Sequence, residues 1–328
     1  MRAPLILAAT ALVLGGCMTG PDYVRTRVSV PEQWRSEYKD ARDLADSRWW
    51  EQFQDPVLND LIRAALEENK DLRIATARVE EFAGRLQPPT APLSPQIGYQ
   101  AGAGRQRASR QTGPSELPSS VDPTYSSYSG VLTASWELDV WGRMRRLSEA
   151  ARADLLASEE GRRSVILTLV SAVANGYLTL RSTDRQLEIS RATADAYLQT
   201  LGLFELRYKG GVINEMQLSQ VRSQYEQAAA RIPQFEQQIA RLENALSVLL
   251  GRNPGPIPRG KAIDALVLAG VPAGLPSSLL ERRPDILAAE QALVAANARI
   301  GAARALYYPT ISLTGLLGSA STQFSDLF

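Results

Sequence analysis

The reactive side chains of this chain are few: among its 328 residues there is no histidine and a single cysteine, Cys17. That inventory removes the usual zinc clusters, the Ser-His and Cys-His nucleophile pairs and any intramolecular disulfide. No constellation of acids, bases or phosphate-cradling glycines replaces them, so the expectation is a protein that is not an enzyme and takes no metal or cofactor. Two places could still act. Cys17 could be modified, and Arg207-Tyr208-Lys209-Gly210-Gly211-Val212-Ile213-Asn214 joins a cation, two glycines and a short polar side chain in one short turn.

The setting of Cys17 narrows its chemistry. Arg2 precedes an apolar run from Leu5 to Leu14 that closes in Gly15-Gly16, the basic, apolar and small-residue order of a secretory signal. The run is too short to span a bilayer as a helix. Leu14-Gly15-Gly16-Cys17 resembles the bacterial lipobox, which is cleaved before a cysteine that then carries acyl chains. Cys17 is therefore expected to be the lipidated N-terminus of the mature chain, and several acyl chains on one residue give a firm anchor. Met18, rather than Asp, in the next position implies by the same resemblance the outer and not the inner membrane.

What must position these residues is an ordered fold, since the chain is 45% apolar, 22% charged and has a net charge of +1. Those values exclude a disordered chain and a basic nucleic-acid binder. No apolar run after the signal has the length of a transmembrane helix, so any membrane passage is expected of strands. Between Tyr128 and Asp139 the sequence alternates. Tyr128, Gly130, Leu132, Ala134, Trp136 and Leu138 fall on one face, and Ser129, Thr133, Ser135, Glu137 and Asp139 on the other, with Val131 the exception. A weaker run puts Ile97, Tyr99, Ala101 and Ala103 opposite Gly98, Gln100, Gly102 and Gly104, with a polar loop from Arg105 to Pro123 between them. Length and alternation fit a barrel hairpin with a lipid face and a lumen face, and fit equally a soluble hairpin with one buried face.

Long helices follow. Ser148 to Tyr208 holds no proline, and Leu218, Val221, Tyr225, Ala228, Ile232, Phe235, Ile239, Leu242, Leu246 and Leu249 keep the three-four spacing of a coiled coil. At 1.5 Å per residue the two helices run roughly 90 Å and roughly 60 Å. Lys209-Gly210-Gly211 supplies the turn that folds them antiparallel, and Pro233 is expected to kink the second. A shift of 214 residues lays Asp71 on Asp285, Ala75 on Ala289, Pro95 on Pro309 and Ile97 on Ile311 without a gap, so a helix leading into a strand occurs twice. In the second copy Ile311, Leu313, Gly315 and Leu317 share a face.

These features together resemble the outer membrane factor family, the TolC/OprM-like exit channels of Gram-negative efflux and secretion machines. Glu137-Leu138-Asp139-Val140-Trp141-Gly142-Arg143 is similar to the family's strand-to-helix junction, and Leu249-Leu250-Gly251-Arg252-Asn253-Pro254-Gly255 to the end of its fourth helix. Leu279-Leu280-Glu281-Arg282-Arg283-Pro284-Asp285-Ile286 is similar to a string of its NodT subgroup, the RND-type efflux outer membrane lipoproteins. The strings also read as folding signals: Ser278 and Glu281 have capping-box spacing, while Pro284 and Asp285 suit a first helical turn. Trp136 and Trp141 fit either an aromatic belt at the membrane surface or a packed corner.

The resemblance implies a mainly α fold with a transmembrane β portion: long antiparallel coiled-coil hairpins plus barrel strands, in two repeats that close as a homotrimer. It implies a passive exit duct for substrates driven by an inner-membrane RND-type pump, reached through a periplasmic adaptor. Arg207, Gly211, Val212 and Asn214 fall on the family's adaptor-contact positions, although a helix turn alone would account for the glycines. The outer membrane lipid is the remaining partner, and nucleic acid is not one.

The expected layout is a signal peptide over 1–16, a lipidated segment over 17–54 and a first helix over 55–94. A barrel hairpin over 95–140, a long helical hairpin over 141–250 and a linker over 251–277 come next. The second helix and strand then occupy 278–328. Gln87-Pro88-Pro89 is expected to end the first helix early. The second copy reaches Phe328 before a strand partner or helical pair, which implies a chain cut short at its C-terminus. The family's acidic constriction lies beyond that point, so no gating residue is assigned. Two rival readings are a truncated, non-functional channel fragment and a lipid-anchored periplasmic coiled-coil protein that docks partners without forming a pore.

Overall fold

The computed structural model describes residues 18–25, 48–86, 93–109, 122–267 and 279–327. The signal segment, Cys17, the prolines at 88 and 89 and Ser278 lie outside them. The chain divides into two units, one of residues 1–27, 80–157 and 289–328 and one of 28–79 and 158–288.

The second unit is helical. Helix α1 (Pro56–Glu68) opens with Pro56 at its first position and Asp55 as N-cap, whose carboxylate accepts from the Val57 amide. Leu58, Leu61, Ile62 and Ala65 recur at helical spacing and are all buried. A single helix is expected over 55–94, but the chain breaks it at Asn69 and restarts as α2 (Lys70–Arg85). Asn69 ends one helix and caps the next: its Nδ2 donates to the Leu249 carbonyl (2.9 Å) and its Oδ1 accepts from the Leu72 amide (3.0 Å). Helix α2 ends at Arg85, just ahead of the prolines.

Helix α3 (Arg143–Lys209) is continuous over 67 residues and begins five residues before the sequence pattern suggests. The earlier start comes from Asp139, whose carboxylate accepts from the Met144 and Arg145 amides (both 3.0 Å) and so satisfies the orphan donors of the first turn. One stretch of α3 is, against expectation, long and apolar enough by composition alone to cross a membrane. Its apolar face is used otherwise: Leu169, Val170, Val173, Ala174, Tyr177 and Leu180 are buried against α1 and the end of the returning helix.

The return is made by α4 (Glu215–Ala229) and α5 (Arg231–Leu249). The expected break lies at Ala230 rather than at Pro233, because the proline ring crowds the carbonyl four residues earlier, that of Ala229. Every residue of the heptad series from Leu218 to Leu249 is buried or half-buried. Near the turn Leu218 and Val221 pack on Leu201, with Phe204, Ile213 and Tyr225 around them. Arg191 pairs with Glu236 (2.6 Å) and Arg222 with Glu205 (3.2 Å) across the hairpin.

The segment expected as a linker is packed through residues 251–267. Gly251 closes α5 in the left-handed region (φ 67°), with the Arg252 amide bonded to the Ser247 carbonyl and its own amide to that of Val248. A side chain there would meet the Glu68 carbonyl at 2.2 Å. Downstream, buried Asp55 accepts from the Tyr177 hydroxyl (2.8 Å) and the Lys261 amide (3.1 Å), while the Gly260 amide donates to that hydroxyl (2.9 Å). Arg259 reaches Asp184 (2.9 Å) and Glu243 (2.6 Å), which ties the same segment to α3 and α5.

The first unit joins a sheet to helix ends. Strands β1 (Gln96–Arg107), β2 (Thr124–Leu138) and β3 (Ile311–Ser321) form an antiparallel sheet with β2 in the middle. The strands of the first hairpin run further than the sequence alternation shows, leaving a shorter connection than 105–123. A single turn, α6 (Leu279–Arg282), closes the second unit's part of the chain, and α7 (Pro284–Ala305), with Pro284 at its first position and Asp285 in its first turn, enters the first unit at residue 289. Arg283 holds the Asp285 carboxyl below the usual range. In the unit's core Ala295 and Ala298 of α7 meet Ala150 and Ala153 of α3, residues small enough to let the two backbones come close.

Candidate functional site

The sheet register decides what the alternation means. Tyr128, Leu132 and Ala134 lie opposite Ala103, Tyr99 and Ile97 on one side, and Leu132, Trp136 and Leu138 lie opposite Leu317, Leu313 and Ile311 on the other. Directly opposed residues share a face, so the apolar sets of three strands, one from the second repeat, merge into one surface. The reverse face carries Thr133 between Gly98 and Leu316, Ser129 between Gly102 and Ala320, and Ser135 between Gln96 and Thr314. Ile97, Tyr99 and Leu317 are 79%, 88% and 74% exposed, so this apolar face is not a core face within the unit. An alternating sheet whose apolar residues gather on one face, and are exposed within its own unit, has the pattern of a membrane-barrel wall.

At the end of the sheet the chain turns into its helices through a packed corner. The Trp141 ring stacks on Tyr308 at 4.5 Å with 20° between planes, and its Nε1 donates to the Pro309 carbonyl (2.9 Å). Of the two readings of Trp141, the corner is the one its contacts describe. Glu137 receives Arg143 (2.8 Å) and Asp139 receives Arg145 (3.3 Å) at the same place, which gives the Glu137–Arg143 string its reason: it is a strand end and a helix start capped by one carboxylate.

A further residue here was not legible in the sequence. Arg146, 2% exposed, sits under the segment that follows Cys17: its guanidinium reaches Asp22 (2.7 Å), Glu149 (2.8 Å) and the carbonyls of Thr19 (3.2 Å) and Gly20 (3.4 Å). In sequence it is one of three arginines within four residues, which reads as a solvated basic run.

The tip of the helical hairpin holds the other four residues. Helix α3 ends in a Schellman motif, with the Val212 amide on the Arg207 carbonyl (2.9 Å), the Gly211 amide on that of Tyr208 (3.0 Å) and Gly211 at φ 73°. Asn214 then caps α4 in a reciprocal box with Gln217, by bonds of 2.9 and 3.1 Å. Gly211 and Asn214 thus have folding roles of their own. Arg207 lies over the Phe204 ring, 5.8 Å from its centroid, and Val212 is 74% exposed. Leu206 (67%) and Met216 (73%) extend the apolar surface around Val212.

Strands with an exposed apolar face in one unit, and in the other a coiled-coil hairpin far longer than a globular core requires, are the parts of an outer membrane channel protein. The chain belongs to the outer membrane efflux protein family, whose model matches residues 61–252 and 275–328. It is 38% identical over 337 residues to a toluene efflux pump outer membrane protein, TtgC of Pseudomonas putida, with all of this chain and 68% of that protein covered. It is 37% identical over 330 residues to the cation efflux system protein CusC of Escherichia coli, covering 99% of this chain and 70% of CusC. Among solved structures, the MtrE outer membrane channel of Neisseria gonorrhoeae superposes with a TM-score of 0.80 at 31% identity, over 95% of this chain and 69% of that one. The outer membrane is accordingly its location, and efflux its role. The family is one of channels rather than enzymes.

Proposed function

We propose that this protein is the passive exit duct of a tripartite efflux system, a lipidated homotrimer whose helical hairpin tip meets a periplasmic adaptor coupled to an inner-membrane RND-type pump. The observation that carries it is the exposed tip. Arg207 stands in the last turn of a 67-residue helix, with Leu206, Val212 and Met216 nearby in sequence exposed rather than buried in the core of their own unit. Acylation of Cys17 is part of the same reading and rests on the signal that precedes it. The edges of the sheet, β1 and β3, are where strands of the remaining barrel would be added.

Arg207→Glu tests the tip. Export of a dye or toxic substrate through the intact system should fall, while the amount of protein in the outer membrane stays at the parent level. Equal loss of both would show that Arg207 supports the fold and not a partner. For the anchor, Cys17→Ser should abolish incorporation of labelled palmitate, and labelling that survives would remove lipidation from the proposal.

A further inference from the structure

A groove of about 450 Å³ opens on the first unit along α3 and α7. It begins where the sheet ends: Leu93 stands three residues before β1, and Arg145 seven after the last residue of β2. Met18 joins it there, held by the Thr19 amide on the Trp141 carbonyl (3.1 Å) and packed so closely on Gly142 that a Cβ added to that glycine would lie 3.0 Å from the Met18 Cα. With Leu93, Leu156 and Val294 it gives the groove an apolar lining.

One wall of the groove is polar. Residues three and four apart on a helix are neighbours, with Cβ atoms about 5–6 Å apart, so Arg145, Ser148 and Arg152 of α3 stand in one row along it. They differ in what they already bind. Arg145 is bonded to Asp139 (3.3 Å), and Glu149, which also lines the groove, receives the buried Arg146 (2.8 Å). Ser148 is only 6% exposed, yet among the described residues its hydroxyl has no hydrogen-bond partner. Arg152 likewise has no partner among them, because the acid nearest to it in sequence, Asp154, is paired with Arg299. A buried hydroxyl without a partner and a guanidinium without a counter-charge both gain from an acceptor that carries negative charge.

The complementary ligand therefore has anionic oxygens at one end and hydrocarbon at the other. At about 30 Å³ for each water-sized group, the groove takes about fifteen heavy atoms, which is a glycerophosphate and the first carbons of its acyl chains. A bilayer crossed by β1, β2 and β3 has its headgroups at the strand ends, and Ile97 and Ile311, at the ends nearest the groove, are exposed for it.

We propose that this groove binds a membrane phospholipid, the Ser148 hydroxyl and the Arg152 guanidinium holding its phosphate while Met18, Leu93, Leu156 and Val294 hold the root of its acyl chains. The proposal rests on the membrane contact of the sheet. To test it, the full chain is reconstituted in vesicles of phosphatidylethanolamine with a minor share of phosphatidylglycerol whose acyl chain bears a diazirine next to the ester, and labels are mapped by mass spectrometry after photolysis. Labels should fall within 148–156 and 291–294, as well as on β1 and β3. Arg152→Gln should lower the groove labels roughly tenfold and Ser148→Ala roughly threefold, with the strand labels unchanged. Arg152→Lys, which keeps the charge, should retain most of the signal. The same diazirine on diacylglycerol, which has no phosphate, should label the strands and spare the groove, and excess inorganic phosphate should leave the groove labels in place. Should Ser148→Ala fail to fold, Arg152→Gln decides, because that side chain is exposed. Equal groove labels in the parent and Arg152→Gln, or from diacylglycerol and phosphatidylglycerol, would overturn the proposal. Removal of the labels by inorganic phosphate would overturn it too, leaving an anion site that selects no lipid. Strands without any label would instead overturn the membrane contact on which it stands.

Discussion

Trp141 and Tyr308 lie face to face, 4.5 Å apart, although they stand 167 positions apart in the chain and each belongs to a different repeat. One ring follows β2 and the other precedes β3, so their stacking fixes where the second repeat's strand joins the first repeat's hairpin. Trp141→Phe keeps a stacking ring and loses only the bond from Nε1 to Pro309, and should cost about 1 kcal/mol. Trp141→Ala removes both and should cost about 2 kcal/mol for this half-exposed side chain. Thermal unfolding of the purified protein in detergent, followed by circular dichroism, orders the two.

Gly211 and Gly251 share a backbone conformation and differ in surroundings, which separates strain from crowding. At Gly211 nothing lies within 4 Å of an added Cβ, so Gly211→Ala should cost only the left-handed strain of about 1 kcal/mol. At Gly251 the same Cβ meets a carbonyl at 2.2 Å, and Gly251→Ala should lose about 3 kcal/mol or more. Equal melting temperatures for the two variants would contradict the packing of α1 against the end of α5.

Alkali should act through Tyr177. Burial, and then the hydrogen bond to the Asp55 carboxylate, push its phenol up to about 12 from an ordinary 10. A raised phenol pKa means that the folded state holds the proton more tightly, so the contribution is complete below pH 10 and is lost as pH rises from there through about 12. Stability of the parent should therefore fall more steeply across that window than that of Tyr177→Phe. Parallel curves would show that the Tyr177 phenol titrates alike in the folded and unfolded chain, contrary to the raised value.

Capping by Asn214 can be told apart from contact with a partner. Asn214→Ala should lower stability by about 1 kcal/mol, while Asn214→Ser, which keeps an acceptor for the Gln217 amide, should stay within a few tenths. Export that falls in the serine variant at parent stability would assign the amide to the adaptor surface.

Much of this architecture is written locally and could be read from the chain. The alternation of 128–138, the heptads from Leu218 to Leu249, the turn at Gly211 and the 214-residue repeat each depend on neighbours in sequence, and the strand faces and helix faces follow them. What escaped depends on partners far along the chain. Asn69 looks like any polar residue within a helix until the Leu249 carbonyl, 180 residues away, is placed beside its amide. Asp55 becomes a buried hub only because Tyr177 and Lys261 arrive together. Arg146 is indistinguishable from Arg143 and Arg145 in sequence, and its burial comes from a strap 124 residues earlier. The start of α3 at Arg143 escaped for a local reason: its cap, the Asp139 carboxylate, stands outside the helix it begins.

The two repeats do not meet β2 at the same height. Ile97 faces Ala134, and its counterpart 214 residues on, Ile311, faces Leu138, four positions away. If counterparts lie level with one another along the pore axis, each strand-to-strand step slides the ladder by about two residues, or roughly 6.6 Å of rise against 4.8 Å of sideways spacing. Strands so sheared slant roughly 50° from that axis. The 12 residues of β1, about 40 Å when drawn straight, then cover only about 25 Å of depth, which is the height of an outer membrane's apolar band.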